Sequence, residues 1–448
     1  MNLIYQGAWA TIVALSGTSA HSGLPRIINS SIPTVQQTTC VIGNTKLVTV
    51  MPTLKQQVSQ SKWATRAWTY QEAILSPRCL YFTPHQVYFE CNAWQCCESM
   101  DETASPFHNM SYNERCKMTD NCICHGGTSK ALGTGVFRDP MCEPTDSKIF
   151  RMTRLSKYDK LIRPYSSRDM TYPSDALNSC DGVLRQMERV WFKEGFFWGL
   201  PVNWLAYTLL WAHKGVHHRR AGFPSWSWTG WEGELSQCTS RPGDDIEYPM
   251  PFRAWKIESG ELCLLGESSA GPTGGYDPIY AAALTLKQEP TYDLGLYSET
   301  QLSSLLFVDA FLFEMQVLET TDDIFPWQNL DKTKFTVKAN GVDCLLVCYN
   351  EETVPKVRQA PHKLSCLLLD RSYIKECGWN YELLLLEWSG QTSKCEESPT
   401  SHLEHQVGEL ARRAGRLRLM MPDGRNYSNK LQALFGDRNF HTTLLVLE

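Results

Sequence analysis

A tryptophan and a glutamate four residues apart, Trp68 and Glu72, are the pair in this sequence whose spacing points most directly to chemistry. In an α-helix, residues at this separation lie on one face, which places the indole beside the carboxyl group. An aromatic wall raises the pKa of a carboxyl or leaves it poised next to a flat ligand that stacks on the ring. Arg66 is close enough in sequence to bind a phosphate or carboxylate of that ligand. The segment therefore predicts a ligand site built on a helix.

The helix that carries these residues is predicted to span residues 63–75. Residues of one face recur along it at three- and four-residue steps, and Ser76-Pro77 ends the pattern because proline cannot supply the helical N–H. Two short aromatic runs, 79–82 and 87–91, flank the four-residue loop 83–86 and predict a β-hairpin. Because an isolated hairpin is marginally stable in water, we expect this one to pack on the helix.

This block resembles the last third of the HET domain, the module of fungal heterokaryon-incompatibility proteins. The family pattern runs approximately R-[AG]-W-T-x-Q-E-x-x-L-S-x-R-x-L-x-F and is followed by a hairpin that ends in cysteine. The residues in register are Arg66, Trp68, Thr69, Gln71, Glu72, Leu75, Ser76, Arg78, Leu80, Phe82 and Cys91. Similar segments occur upstream, in MNLIYQGAWATIVALSGTSAHSGLP, and downstream, in RPYSSRDMTYPSDAL, LLWAHKG, PSWSWTGWEG and ARRAGRLRL. The resemblance implies a role in fungal self/non-self recognition and programmed cell death.

A second, fainter resemblance concerns the tryptophan and the glutamate alone. Trp-x-x-x-Glu on a helix is similar to the TIR-domain helix whose glutamate serves NAD cleavage. It implies that Glu72 is catalytic and that NAD is a substrate, with no bound cofactor. The implied ligand-binding residues are Arg66, Trp68 and Gln71. The alternative is structural: Trp68 lies in the core, and the motif serves packing alone. Glu72 then caps the helix or pairs with Arg66 or Arg78.

Two segments that usually open the family's domain are not found in this sequence. One is similar to S-Y-x-W-G and the other to W-I-D-A-L-C-I-x-Q, and Met1 aligns inside the domain. We therefore expect an amino-terminally truncated member. Because the absent elements are the ones that would hold the nucleotide, we expect this chain to be inactive in NAD cleavage.

The composition excludes several classes of function. The 448 residues are 42% hydrophobic, which is typical of a folded protein with two or three domains. A net charge of −5 provides no overall basic field, so we expect no nucleic-acid partner, and the arginine cluster at 412–418 indicates a solvated face or a strand edge. The apolar run 199–212 is too short to cross a bilayer and predicts a buried helix. No basic leader precedes Arg26, and we expect a cytoplasmic protein without a membrane span.

Cysteine usage predicts mostly free thiols and no metal site. The 17 cysteines are an odd number, and a chain of this size builds a core without disulfides. Seven of them lie between Cys91 and Cys142, together with His108 and His125. Structural zinc prefers cysteine pairs at regular short spacings, and the spacings here are irregular. We therefore predict that this cluster is a reduced insertion.

Shifts in composition divide the chain into four segments. Residues 1–97 hold the partial HET domain, for which the resemblance implies a TIR-like α/β fold with a strand at 11–15. Residues 98–147 form a Cys- and Gly-rich insertion, and 148–222 are helical, with a helix at 175–190 that Tyr172-Pro173-Ser174 is predicted to cap. Residues 223–448 are β-rich. The β-type runs are 262–265, 281–286, 305–308, 344–349, 364–369, 383–388, 417–421 and 443–447. The overall class predicted is α+β.

Two classes of function remain open. The first is a death-effector enzyme that depletes NAD or a related nucleotide when it clusters. The second is a non-catalytic interaction or regulatory protein. No G-x-S-x-G, G-x-x-x-x-G-K-[ST], H-E-x-x-H or G-x-G-x-x-G motif occurs, which argues against the corresponding hydrolases and nucleotide-binding enzymes. Both remaining classes imply protein partners or self-association.

Overall fold

The chain folds into two compact units. Unit 1 comprises Met1–Glu143 and Arg168–Trp191, and unit 2 comprises Pro144–Ser167 and Phe192–Glu448. The structure is a computed structural model. It describes residues 2–17, 19, 21–27, 33–91, 95–99, 147–238, 250–268, 299–322, 333–350, 353–358, 362–374, 378–392, 409–421, 434 and 442–448. The predicted insertion 98–147 lies outside these residues except at its two ends.

Helices and short strands share unit 1, whereas strands dominate unit 2. Within the described residues the α-helices are α1 Asn2–Gly7, α2 Leu54–Ser59, α3 Lys62–Thr65, α4 Trp68–Leu75, α5 Ser147–Ser166, α6 Asp175–Asn178, α7 Asp181–Val190, α8 Leu205–Thr208, α9 Glu299–Leu302 and α10 Thr353–Arg358. The first strands are β1 Thr11–Ala14, β2 Thr39–Ile42, β3 Thr45–Val48, β4 Arg78–Phe82, β5 Val87–Cys91, β6 Gln95–Cys97, β7 Phe196–Phe197, β8 Leu200–Pro201, β9 Ala212–His213, β10 His218–Arg219, β11 Trp231–Glu232 and β12 Leu235–Gln237. The remaining strands are β13 Phe252–Glu258, β14 Glu261–Ser268, β15 Leu306–Asp322, β16 Thr333–Ala339, β17 Val342–Cys348, β18 His362–Ile374, β19 Gly378–Thr392, β20 Glu409–Met421 and β21 Thr442–Leu447. This mixture, with its β-rich carboxy-terminal part, confirms the predicted α+β class.

No helix in the described part of the chain is both long enough and apolar enough to span a membrane.

The main sheet of unit 1 has the strand order β1-β4-β5-β6. β1 runs parallel to β4, with Thr11 opposite Cys79, and the other neighbours are antiparallel. The β4–β5 hairpin turns at the predicted loop, where the Thr83 hydroxyl accepts hydrogen bonds from the N–H groups of His85 and Gln86. The local sequence therefore fixes both the hairpin and its turn.

The hairpin packs on the helical segment before it, as the sequence predicts. Tyr81 and Tyr88 share one buried core cluster with Trp63 and Ala73. The rings of Trp63 and Tyr81 meet edge to face with their centroids 6.2 Å apart. Such an aromatic pair contributes about 0.5–1.5 kcal/mol beyond the area that it buries.

The predicted single helix over residues 63–75 is wrong, because the chain breaks it into α3 and α4. Arg66 lies between the two helices in an extended conformation, with φ −81° and ψ 134°. Its neighbours pair with Asp169, whose N–H donates to the Thr65 carbonyl and whose carbonyl accepts from the Ala67 N–H. This short bridge competes with helical hydrogen bonding at Arg66. The predicted end of the helix at Ser76 is confirmed.

Two other predicted helices are also shorter than the sequence indicates. Residues 175–190 form α6 and α7 rather than one helix, and the Ser174 side chain makes no capping hydrogen bond. The run 199–212 is largely buried but contains β8, a 3₁₀ turn, the short α8 and the start of β9. Gly199 has φ +82°, and a Cβ there would meet the Trp228 ring at 2.9 Å. Gly199 only begins the run, and Pro201 after it is also non-helical, with φ −68° and ψ 127°, so the helix cannot start before the 3₁₀ turn.

Unit 2 is organised on β15. The start of this strand pairs with β13 and β21, and its later part pairs with β18 and β16. The strands β16, β17, β20, β19 and β18 are neighbours in that order, and β18 pairs with β15. Six strands thus close into a ring, an arrangement in which each strand has a partner on both sides.

Most of the β-type runs predicted for unit 2 lie in or overlap these strands, which confirms the β-rich region. The run 281–286 falls outside the described residues. Along β15, the alternating side chains of Phe311, Phe313, Met315 and Val317 enter one core cluster. That alternation is the period-two pattern of a strand with one face toward a core.

A buried ionic cluster crosses β19 and β20. Glu382 is 3% exposed, and its carboxylate accepts a hydrogen bond from Arg416 Nε at 3.0 Å and pairs with Arg418. The Arg416 guanidinium also lies 4.1 Å from the centroid of the Tyr349 ring and donates to the Leu210 carbonyl. Burial would raise the pKa of Glu382, but the charges of the two arginines outweigh it and lower that pKa.

The arginine cluster is therefore not the solvated face that the sequence indicated. Arg413 and Arg416 are 4% and 0% exposed. The prediction fails because it treats arginine as a surface residue, whereas a paired guanidinium with carbonyl acceptors is tolerated inside a protein.

Replacing Glu382 with glutamine should lower the free energy of unfolding of unit 2 by about 3–5 kcal/mol, because Arg416 would stay buried without its counter-charge. Thermal unfolding followed by circular dichroism measures the loss. Glu387→Gln is the matched control. Glu387 lies on the same strand, is 54% exposed and pairs with Lys356, so its loss should cost about 1 kcal/mol or less. Equal losses for the two variants would contradict the assigned role of Glu382.

Candidate functional site around Glu72

Glu72 lies on α4, and the break at Arg66 decides which side chains reach it. The Thr69 hydroxyl donates to the carbonyl groups of Trp63 and Arg66, which ties the first turn of α4 to the end of α3. The chain therefore turns between the two helices. As a result, the Trp63 indole donates a hydrogen bond to the Glu72 side chain.

Glu72 is half-buried and has an altered proton affinity. Burial raises its pKa above the ordinary value of 4.5, and this is the largest effect. Hydrogen bonds from Tyr5 and Trp63, together with the positive charge of Arg66, act in the opposite direction. The raised pKa shows that neutral donors and one exposed arginine do not fully replace the lost water.

Tyr5 belongs to α1, which is held against the rest of unit 1 by side-chain contacts. Burial, and then the charge and hydrogen bond of Glu72, raise the pKa of Tyr5 to about 12. The neighbouring Gln6 donates to the Gln186 side chain at 2.8 Å, which links α1 to α7. Tyr5 is therefore a neutral phenol at physiological pH, and its hydroxyl acts as a hydrogen-bond donor to the carboxylate.

The sequence also predicts Trp68 and Gln71 as ligand-binding residues, and both make contacts within unit 1. Trp68 Nε1 donates to Asp175 Oδ2 at 3.0 Å. Gln71 is 1% exposed, and its Oε1 atom lies so close to Gly182 that a Cβ there would approach it to 2.6 Å. Both side chains thus join α4 to α6 and α7.

Arg66 is the one predicted ligand-binding residue that is exposed. Its charge reaches Glu72, and its carbonyl accepts a hydrogen bond from Arg168 Nη1 at 3.0 Å. The Arg168 guanidinium in turn lies 4.8 Å from the centroid of the Tyr70 ring. The backbone of Arg66 is therefore held in place, while its side chain extends into solvent.

The structure brings Glu72 and Arg66 together electrostatically and adds two residues that the sequence did not indicate, Tyr5 and Trp63. Trp63 was not identified because one continuous helix places it on a face with Ala67 and Gln71 rather than beside the glutamate. Tyr5 lies in the upstream segment that resembles the HET family, and nothing in its local sequence assigned it a partner. Only the tertiary structure shows these contacts.

The arrangement gives a carboxyl group that is oriented by two neutral donors. No cluster of three or more metal-ligating side chains occurs among the described residues. The nearby Cys79 is not a nucleophile at neutral pH, because burial raises the pKa of its thiol to about 11. The chemistry available is therefore that of one positioned carboxyl group, either as a negative charge or as a hydrogen-bonded clamp.

Comparison with known proteins gives one match. Residues 1–72 match the family model described as Heterokaryon incompatibility protein (HET). No curated protein and no solved structure matches the chain. The fainter resemblance to the TIR helix therefore has no support from these comparisons.

The raised pKa of Glu72 predicts how stability depends on pH. Below pH 4.5 the carboxyl is protonated in both the folded and the unfolded chain. Above that value the unfolded chain loses the proton first, so the folded state loses stability relative to Glu72→Gln until the pH exceeds its own pKa. The measurement is the midpoint of thermal unfolding of the native chain and of Glu72→Gln at each pH. The difference, native minus variant, should fall as the pH rises from 4 to 7. Glu188→Gln, at an exposed position of α7, controls for net charge. A difference that rises with pH would contradict the assigned environment.

Proposed function

We propose that this heterokaryon-incompatibility (HET) domain protein is a non-catalytic regulator in fungal self/non-self recognition, acting in the cytoplasm on the pathway to programmed cell death. The family match supports the recognition role. The matched segment contains Tyr5, Trp63 and Glu72, so the best-defined polar cluster of unit 1 lies inside it.

One observation carries the non-catalytic part of the proposal: three of the four side chains predicted to form the site, those of Trp68, Gln71 and Glu72, already make contacts within the fold. Glu72 accepts hydrogen bonds from Tyr5 and Trp63. Trp68 is bonded to Asp175, and Gln71 is buried beside Gly182. A bound ligand needs unoccupied polar atoms, whereas the polar atoms of these groups hold α1, α3, α6 and α7 around α4.

In this proposal Glu72 is a clamp between helices. Its two neutral donors come from α1 and α3, so the carboxyl joins segments that are distant in sequence. A hydrogen bond to a charged group contributes about 1.5–3 kcal/mol when it is buried, and partial exposure lowers this to about 1 kcal/mol. Such a clamp stabilises the surface that a recognition partner contacts.

A second candidate function is NAD cleavage, in which Glu72 stabilises the ribosyl cation as the bond to nicotinamide breaks. The half-burial of Glu72 beside the Trp63 ring favours it, because a carboxylate in such a setting interacts strongly with a developing positive charge. The two candidates predict different behaviour of the same variants.

The test compares the native chain with Tyr5→Phe, Glu72→Gln and Glu188→Gln in a fungal expression host and as purified proteins. As a clamp, Glu72 should make Tyr5→Phe lower the midpoint of unfolding by about 2–4 °C, whereas Glu72→Gln should lower it by less, because its amide oxygen can still accept hydrogen bonds from Tyr5 and Trp63. None of the four proteins should release nicotinamide from NAD. Cell viability should follow the amount of folded protein.

Two results would contradict this proposal. Nicotinamide release by the native chain that falls about 100-fold or more in folded Glu72→Gln, but persists in Tyr5→Phe, would establish the enzyme and overturn the clamp. Viability that is unchanged by expression of the native chain, in strains of either compatibility type, would contradict the recognition role.

A further inference from the structure

Exposed apolar side chains are concentrated near the start of unit 1. Among the described residues, 15 large apolar side chains are exposed, and 11 of them lie within residues 3–50. Proteins that stay monomeric in solution rarely expose apolar surface in such a concentration. Two groups stand out among the 11. The edge group surrounds β1 and consists of Leu3, Ile4, Trp9 and Ile12. The second group, Val41, Ile42, Leu47 and Val48, lies on the β2–β3 hairpin, residues 39–48, which we call the arm.

The edge group borders an open side of the sheet. β1 is the terminal strand of the four-stranded sheet, and in the described part of the chain it pairs with β4 alone. The Leu15 N–H donates to the Phe82 carbonyl, so by alternation the backbone groups of Thr11 and Val13 also face β4. Those of Ile12 and the Ala14 N–H then point to the open side, whereas the Ala14 carbonyl accepts a hydrogen bond from the Gly17 N–H at 3.1 Å. The strand reads TIVA and carries no charge.

The arm has the complementary properties. All eight residues of β2 and β3 are exposed, and Lys46 is the single charged residue among them. Val41 and Ile42 are 68% and 66% exposed. A two-stranded hairpin with neither face covered is marginally stable in water. Within the described residues, the arm therefore has neither a third strand nor the apolar contacts that would stabilise it.

The base of the arm is fixed. The Val35 N–H donates to the Pro84 carbonyl at 2.8 Å, and the Tyr88 hydroxyl donates to the Pro52 carbonyl. Both flanks of the arm are thus attached at the β4–β5 loop and at β5. The base is thus held in place, while the residues of β2 and β3 are exposed.

We propose that the arm of one copy adds to the β1 edge of a second copy, and that the exchange is reciprocal. Both edges consist of four-residue strands without opposing charges, and each supplies the backbone partners and apolar side chains that the other exposes. A second copy is the occupant because one chain carries both complementary parts, and reciprocal addition closes a two-fold dimer. This inference rests on the apolar surface and stands whether or not the proposed function holds.

Sedimentation equilibrium of the full chain at micromolar concentrations tests the dimer. The edge variant, Ala14→Pro, removes an N–H that points to the open side, and proline is tolerated at such a position. The arm variant changes Val41, Ile42, Leu47 and Val48 to threonine, which preserves β propensity. The dimer Kd should rise at least about tenfold in each variant. Leu264→Thr, an exposed position on β14, is the matched control and should leave the Kd unchanged.

A mixing experiment identifies the contact itself. The edge variant retains an intact arm and the arm variant retains an intact edge, so an equimolar mixture should recover dimers that neither variant forms alone. If Ala14→Pro unfolds unit 1, the pair Trp9→Ala and Ile12→Thr replaces it as the edge variant. A native chain that is monomeric overturns the proposal. A dimer that only the arm variant disrupts, with no recovery on mixing, also overturns it and assigns the contact to two arms.

Discussion

The pairing of backbone groups along strand edges is the constraint on which both units depend. An N–H or C=O left without a partner costs free energy when it loses water, so each sheet must close, cover or expose its edges. Unit 2 closes six strands through the contact of β15 with β18. Unit 1 leaves β1 beside a single neighbour in the described residues. The same constraint thus produces a closed ring of strands in one unit and, within the described residues, a strand with one open edge in the other.

Two glutamates show how the balance between burial and charged partners decides the direction of a pKa shift. Glu382 is almost fully buried, yet its pKa is lowered because two arginines supply opposite charge. Glu72 is only half-buried, yet burial raises its pKa, because the hydrogen bonds from the neutral donors Tyr5 and Trp63 and the charge of Arg66 lower it by less. Glu382 is therefore a fixed anion that organises two strands. Glu72 is a carboxyl whose proton is held more tightly than in water.

The local elements of this fold could largely be predicted from the sequence, and the long-range ones could not. Apolar runs such as 364–369 and 383–388 became strands because their residues favour a pleated, two-sided core. The hairpin at Thr83 follows from its turn residues. The helix break at Arg66 did not follow, because the competing partner, Asp169, is about a hundred residues away. The same holds for the site. Glu72 was found from its spacing to Trp68, but Tyr5 and Trp63 reach it only through the tertiary fold.

The order of synthesis adds a consequence to the way in which unit 1 is assembled. Trp68 donates a hydrogen bond to Asp175, which lies 107 residues further along the chain. The helix α5, which lies between them in the sequence, belongs to unit 2. A nascent chain that has released α4 from the ribosome therefore lacks Asp169, Asp175 and Gly182. Unit 1 cannot complete its packing until about residue 191 has emerged from the ribosome. Until then, the helices and the hairpin that were synthesised earlier expose part of the surface that they bury in the folded unit. During translation, the amino-terminal part of this chain therefore exposes apolar side chains for longer than a segment that packs on its own sequence neighbours.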